Sequence, residues 1–232
     1  MTNASPEAKW PRLLSLSVHE FRTPISVAAG YVKMLLSDRA GAVTDQQRRM
    51  LQETEKSCAR LSALVAEMSE LANLEAGTVP LHRKPADLRP LLADAIGALP
   101  AVTDRDLRVE LTTGAGPAFF RGDATRLKTA FTSLIYALRR ELVASTRLIV
   151  RERTGVYGGS AASWIAIADA DRIDQVEAAT PETLTTFDEW RGGCGLSLAI
   201  GRRVIDAHGG ALWSPADGTK TAAVAVVPHD QP

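Results

Sequence analysis

The chain is poor in several kinds of residue, and each shortage narrows what it can be. Its 232 residues include two cysteines, four histidines and only 5% aromatic side chains. Cys58 falls in an apolar helical seam and Cys194 in a glycine-rich stretch, so they read as free thiols rather than a disulfide or metal pair. No histidine has metal-ligand spacing. His82 lies among prolines, His229 in the tail, and His208 opens a His-Gly-Gly at an expected helix end. Trp10, Trp164, Trp190 and Trp213 are dispersed, with no aromatic stripe for stacking on bases. Net charge is missing too: Lys plus Arg equals Asp plus Glu at 27 each, which excludes the electrostatic footprint of a nucleic-acid or anionic-membrane partner. The longest apolar runs fall short of a membrane span, and residues 1–11 hold no signal-peptide core. The expectation is a cytoplasmic chain without membrane contact.

What is present begins with His19-Glu20-Phe21-Arg22-Thr23-Pro24. In a helix His19 and Thr23 share a face, and Glu20 follows closely enough to orient the imidazole. A neutral imidazole attacks phosphorus through one nitrogen when the other keeps its proton on an acceptor, and Glu20 is the nearest acceptor in sequence. Leu14, Val18, Phe21, Ile25, Ala28, Val32 and Leu35 alternate in steps of four and three, which leaves His19 beside the seam and reachable. A second seam runs Thr54, Cys58, Leu61, Val65, Met68 and Ala72, widened by Leu51, Leu64 and Leu71. Residues 37–43 break the pattern, and Thr44 with Gln47 has capping-box spacing for the second helix. Two helices with seams this wide are best satisfied by pairing with a copy of themselves, which predicts a homodimeric four-helix bundle.

These residues carry a resemblance. The His-Glu-Phe-Arg-Thr-Pro box, the hairpin and its exit Leu71-Ala72-Asn73-Leu74-Glu75-Ala76-Gly77 resemble the catalytic core of a HisKA-type sensor histidine kinase. Near the C-terminus Gly193-Cys194-Gly195-Leu196-Ser197-Leu198-Ala199-Ile200, followed by Val204-Ile205 and His208-Gly209-Gly210, resembles that family's second glycine box and the helix behind it. The resemblance implies residues 1–76 as a dimerisation and histidine-phosphotransfer hairpin, 77–86 as a linker with two prolines and a glycine, and 87–232 as a GHKL-like ATP-binding domain. The fold class is therefore α+β: a helical hairpin followed by an α/β sandwich. From residue 86 the pattern reads helix, strand, strand, helix, strand, strand, helix, strand, with helices on one face of a mixed sheet. No sensor, receiver or membrane segment is evident. The chain is either part of a longer receptor or a stand-alone core, and its Met1-Thr2-Asn3 start favours the second.

The resemblance also implies ATP and Mg²⁺, and here the residues depart from the family. Aligning Arg126-Leu127 with the family's helix puts Ser133 and Ala137 where asparagines hold the metal, and a methyl offers no oxygen. The first glycine box becomes Asp169-Ala170-Asp171-Arg172-Ile173: the adenine-reading Asp169 remains, while Asp171 and Ile173 replace glycines and are expected to crowd the pocket. The loop from Gly192 to Gly195, with Gly193 and Gly195 as phosphate-side candidates ahead of a helix N-terminus, keeps phosphate-binding character. Phe187 and Trp190 flank the segment before it and are expected to pack it shut. The first reading is thus a phosphotransfer protein exchanging phosphate between His19 and a response-regulator aspartate, with Glu20 holding the Nδ1 proton, Thr23 orienting water for regulator dephosphorylation, and little or no ATP autokinase activity. The alternatives are a working autokinase with an unusual nucleotide site and a non-catalytic dimeric scaffold for a regulator.

Overall fold

The structure, a computed structural model, describes residues 6–101, 106–116, 118–190 and 193–229. The chain divides into two compact units, Met1–Val79 and Pro80–Pro232.

The first unit is a helical hairpin of α1 (Pro6–Leu36) and α2 (Asp45–Glu75). The capping box forms in both directions: the Gln47 backbone N–H donates to Thr44 Oγ1 at 3.3 Å, and the Thr44 N–H donates to Gln47 Oε1 at 2.8 Å. Asp38 turns the chain with a φ of 57°. Arg48 closes that turn, donating to the Leu36 carbonyl at 2.9 Å and to both Asp38 carboxylate oxygens at 2.9 and 3.1 Å. The core seam holds Leu14, Val18 and Val32 of α1 against Cys58, Val65, Leu71 and Ala72 of α2. Two members of the expected α1 seam are not in it. Phe21 is 51% exposed and Ala28 is exposed, while Ala29 turns partly inward. At about 100° per residue, Phe21 and Ala28 stand on the flank of the stripe defined by Val18, Ile25 and Val32, so one partner helix cannot cover both. Leu61 of α2 is likewise exposed.

The second unit opens with β1 (Lys84–Asp87), in residues expected to close the linker; it pairs antiparallel with β3 (Phe119–Gly122). A separate six-stranded sheet has the order β2-β4-β5-β8-β7-β6, with β2 (Arg108–Thr113), β4 (Arg147–Tyr157), β5 (Ser160–Asp169), β6 (Leu184–Thr186), β7 (Ala211–Pro215) and β8 (Ala223–Pro228). Only β2 and β4 run parallel. Pairing Ile149 with Ala168 and Ala166 with Val224 sorts the strands into two faces, because successive side chains point to opposite sides. The face holding Leu148, Val150, Ile165, Ile167 and Ala225 is fully buried. It lies under α3 (Leu88–Gly97), α4 (Ala124–Glu141) and α6 (Ser197–Ala207). Helix α4 contributes Leu127, Phe131, Leu134, Ile135 and Leu138 to this core. Its start is fixed by Asp123, whose carboxylate accepts the Arg126 N–H at 3.1 Å.

The opposite face holds a second apolar cluster of Ile149, Ala166, Ala168 and Val224 under Ile173 and Val176 of α5 (Ile173–Glu177). Helices are therefore not confined to one face. Trp164 and Trp213 stack over this cluster with ring centroids 5.9 Å apart and planes at 11°, and Tyr157 meets both edge-on. Two of the four dispersed tryptophans converge because β5, β8 and β7 are neighbours.

One charge pair is sunk into the helix-covered face. Glu152 is 1% exposed; its Oε2 accepts from Arg89 Nε at 3.0 Å and its Oε1 from Ser163 Oγ at 3.0 Å. Truncating Glu152 to alanine would strand the Arg89 guanidinium, whose Nη2 is already buried without a partner. Urea unfolding of Glu152→Ala is expected to show a loss of about 3 kcal/mol, the usual cost of breaking a buried pair from one side.

Candidate functional site

His19, Glu20 and Thr23 all lie on α1 and are all exposed. Thr23 sits one turn above His19 on the same face, and Glu20 about 100° around the helix from His19. Among the described residues no side-chain hydrogen bond or ion pair engages any of the three, so the Glu20 carboxylate and the His19 ring are not bonded to each other in this structure. The imidazole is presented on a rigid helix with both nitrogens free for a visiting group. Pro24 lies inside the helix and supplies no N–H for the Glu20 carbonyl, which opens the backbone ladder beside the reactive ring. Around this polar patch α1 exposes Leu13, Leu16, Val27, Tyr31 and Met34, a stripe far more apolar than a solvated helix face requires, with Phe21 exposed about 110° around the helix from it.

The second set of candidates lies in the second unit. Asp169 ends β5, and its two carboxylate oxygens are already engaged: Oδ1 accepts the Asp171 N–H at 3.2 Å and Oδ2 the Thr221 hydroxyl at 3.0 Å. Thr221 was not singled out from the sequence; it follows a loop and reaches Asp169 only through the pairing of β5 with β8. The two replaced glycines do not crowd a pocket together. Ile173 is buried on the opposite face of the sheet, where it anchors α5, and the Asp171 side chain faces solvent. The cause is local: α5 begins at Ile173, so the chain leaves the strand end one residue after Arg172, which pairs with Asp217 at 2.9 Å.

The glycine loop keeps the backbone that glycine permits, with φ of +84° at Gly193 and +61° at Gly195; Gly192 lies outside the described residues. Helix α6 starts two residues later with no side-chain cap on its first N–H groups. Arg140, at the last turn of α4, closes on this loop: its Nη1 donates to the Gly193 carbonyl at 2.7 Å, and a Cβ at residue 193 would lie only 2.5 Å from it. Arg140 and Arg139 both pack on the Tyr136 ring, with guanidinium carbons 5.8 and 5.6 Å from its centroid. Ahead of the loop Phe187 is buried as expected, but Trp190 is 72% exposed. The strap is held instead by Glu189, whose Oε2 accepts from Arg202 at 2.9 Å and Arg203 at 3.3 Å.

The residues do not fit a bound Mg²⁺. Ala137 is buried in the helical core and has no lone pair to offer, Ser133 brings a single hydroxyl, and among the described residues no group of three or more His, Cys, Asp or Glu side chains could hold a metal ion.

Residues 12–77 match the family model described as His Kinase A (phospho-acceptor) domain. Over those residues the hairpin is similar to a HisKA phospho-acceptor domain. Across 87% of its length the chain is 27% identical to the sensor protein GacS of Pseudomonas syringae pv. syringae, covering 23% of that protein. It is 29% identical to the probable sensor histidine kinase TcrY of Mycobacterium tuberculosis over 84% of this chain and 40% of the other, and 28% identical to the phosphate regulon sensor PhoR of Pseudomonas aeruginosa over 82% and 43%. The chain thus spans less than half the length of these relatives. Among solved structures, full-length ShkA in complex with AMPPNP superimposes with a TM-score of 0.68 at 21% identity, over 96% of this chain and 46% of that one. The Acinetobacter baumannii histidine kinase AdeS gives 0.53 at 18% identity, over 92% and 98%. Both show the same fold: a hairpin followed by a mixed α/β sheet domain.

The contact of Arg140 with the glycine loop generates a direct test. Arg140→Ala removes the donor to the Gly193 carbonyl, so amide hydrogen exchange across 193–197 is expected to quicken several-fold while exchange in α1 and α2 stays unchanged.

Proposed function

We propose that this chain exchanges a phosphoryl group between His19 and an aspartate of a response-regulator receiver domain, and that Mg-ATP autophosphorylation is weak or absent. The observation that carries the reading is the contrast between the two candidate sites. His19 is exposed and unencumbered beside Glu20 and Thr23, whereas the metal positions of the nucleotide site are a buried methyl and a lone hydroxyl.

In the transfer, His19 Nε2 attacks the phosphorus of the regulator's acyl phosphate. The N–P bond forms as the P–O bond breaks, and the electron pair leaves on the aspartate carboxylate. Glu20 accepts a hydrogen bond from Nδ1–H and stabilises the positive charge that grows on the ring. The reverse step returns phosphate to the regulator. Thr23, one turn away, orients a water toward the same acyl phosphate, which gives regulator dephosphorylation from the same helix face.

The apolar stripe of Leu13, Leu16, Val27, Tyr31 and Met34, with Phe21 exposed beside the hairpin seam, supports a homodimer through residues 1–76, because a helix exposing so many large apolar side chains is stable in water only when they are covered. Residues 87–232 then form a GHKL-like domain with a degenerate ATP site. Among the described residues no helix is long and apolar enough to cross a membrane, which supports a cytoplasmic location for this part.

Three measurements test this. Incubation with a phosphorylated receiver domain is expected to label the parent at acid-labile histidine, and His19→Ala to abolish labelling with the dimer intact; equal labelling of His19→Ala would leave only a scaffold. Thr23→Ala is expected to spare transfer and slow hydrolysis of the acyl phosphate. Calorimetry with Mg-ATP is expected to show negligible heat; micromolar, metal-dependent binding would establish the autokinase instead.

A further inference from the structure

The segment that enters the second unit is fastened to it through one buried imidazole. His208, the C-terminal cap of α6, is 7% exposed. Its Nε2 accepts the Asp123 backbone N–H at 2.9 Å, which requires a bare ring nitrogen there. The ring proton therefore sits on Nδ1 and is donated to the Val204 carbonyl at 2.7 Å. Asp123 passes the connection outward: while Oδ1 caps α4, Oδ2 accepts the His82 N–H at 3.2 Å. Beside it, Arg83 Nη2 donates to the Ala207 carbonyl, adjacent to His208, at 2.8 Å. The ring packs against Gly122, where an added Cβ would lie 2.6 Å from its Cδ2.

We propose that His208 is a proton-sensitive latch that fastens the entry segment at His82 and Arg83 to the second unit and releases it on protonation. The added proton takes the Nε2 lone pair, turning the acceptor of the Asp123 N–H into a donor that faces it. The turn at Asp123 must then move, and the acceptors of His82 and Arg83 move with it. The charged groups facing the ring are Arg83 from the entry segment and Asp123 and Arg126 from the start of α4. Burial is the largest influence and holds the ring's pKa below its ordinary value; the two guanidiniums act in the same direction, against Asp123 and the Val204 carbonyl. A depressed folded-state value means that the latch's contribution is fully present above the unfolded value of about 6.5 and is lost as pH falls below it.

The test uses the full chain. ¹⁵N spectroscopy is expected to show His208 as the Nδ1–H tautomer titrating below 6.5. Amide exchange at His82 and Asp123, corrected for its intrinsic pH dependence, is expected to rise about tenfold between pH 7.5 and pH 5. His208→Gln keeps a distal oxygen acceptor that does not titrate, so its exchange is expected to be flat over that range. An Nε2–H tautomer, a flat response in the parent, or a parent-like response in His208→Gln would each overturn the latch. Should His208→Gln fail to fold, the parent's tautomer and exchange profile decide alone.

Discussion

The constraint on which the second unit depends is the packing of α4 on the sheet, between α3 and α6. Its buried positions Leu127, Phe131, Leu134, Ile135 and Leu138 fix the rotation of the helix, and that rotation sets where every other α4 side chain must point. Ala137 turns inward on this helix, at 2% exposure, next to the leucine and isoleucine positions. An asparagine there would need partners for both ends of its amide inside the helical core. The residue that the resemblance aligns with a metal-holding asparagine is thus a buried alanine.

The same rotation explains Arg140. Three residues beyond Ala137, it lies near the same helix face but at the helix end, where carbonyls left without N–H partners favour a cation. The nearest backbone from another element is the glycine loop, and the guanidinium donates to it directly. The loop therefore keeps positive φ at Gly193 and Gly195 while the Arg140 guanidinium closes on its backbone. Glu189, buried between Arg202 and Arg203, pins the preceding segment onto α6 by the same kind of charge-assisted contact.

Much of this was legible from residue order alone because local chemistry agreed with the final fold. The Thr44–Gln47 box and the strands β4, β5 and β8 each rest on contacts within a few residues or on simple alternation. What escaped depends on partners far apart in sequence. Ile173 looked like a pocket residue by alignment, yet its surroundings are Ala168, Ala222 and Val224, which only sheet pairing brings together. The Trp164–Trp213 stack and the Asp169–Thr221 bond have the same origin. Strands β6 and β7 are too short for alternation to register. Phe21 shows the converse failure: heptad spacing counted it into the seam, but a seven-residue repeat drifts around a straight helix and leaves it on the flank.

That flank bears on how the hairpin acts. His19 and the apolar stripe occupy different sectors of α1, so covering the stripe does not require covering the histidine. At about 100° per residue, Val27, Tyr31 and Met34 fall on a line with Leu13 and Leu16, while His19 stands some 100° away from it. Glu20, seven residues from both Leu13 and Val27, falls on that same line, so an assembly that buries the stripe reaches Glu20 while His19 stays at its border. The packed side of the helix buries Leu14, Val18 and Val32, while His19 stands outside that packing. The burial that stabilises the hairpin and the exposure of His19 are separated by rotation about one axis.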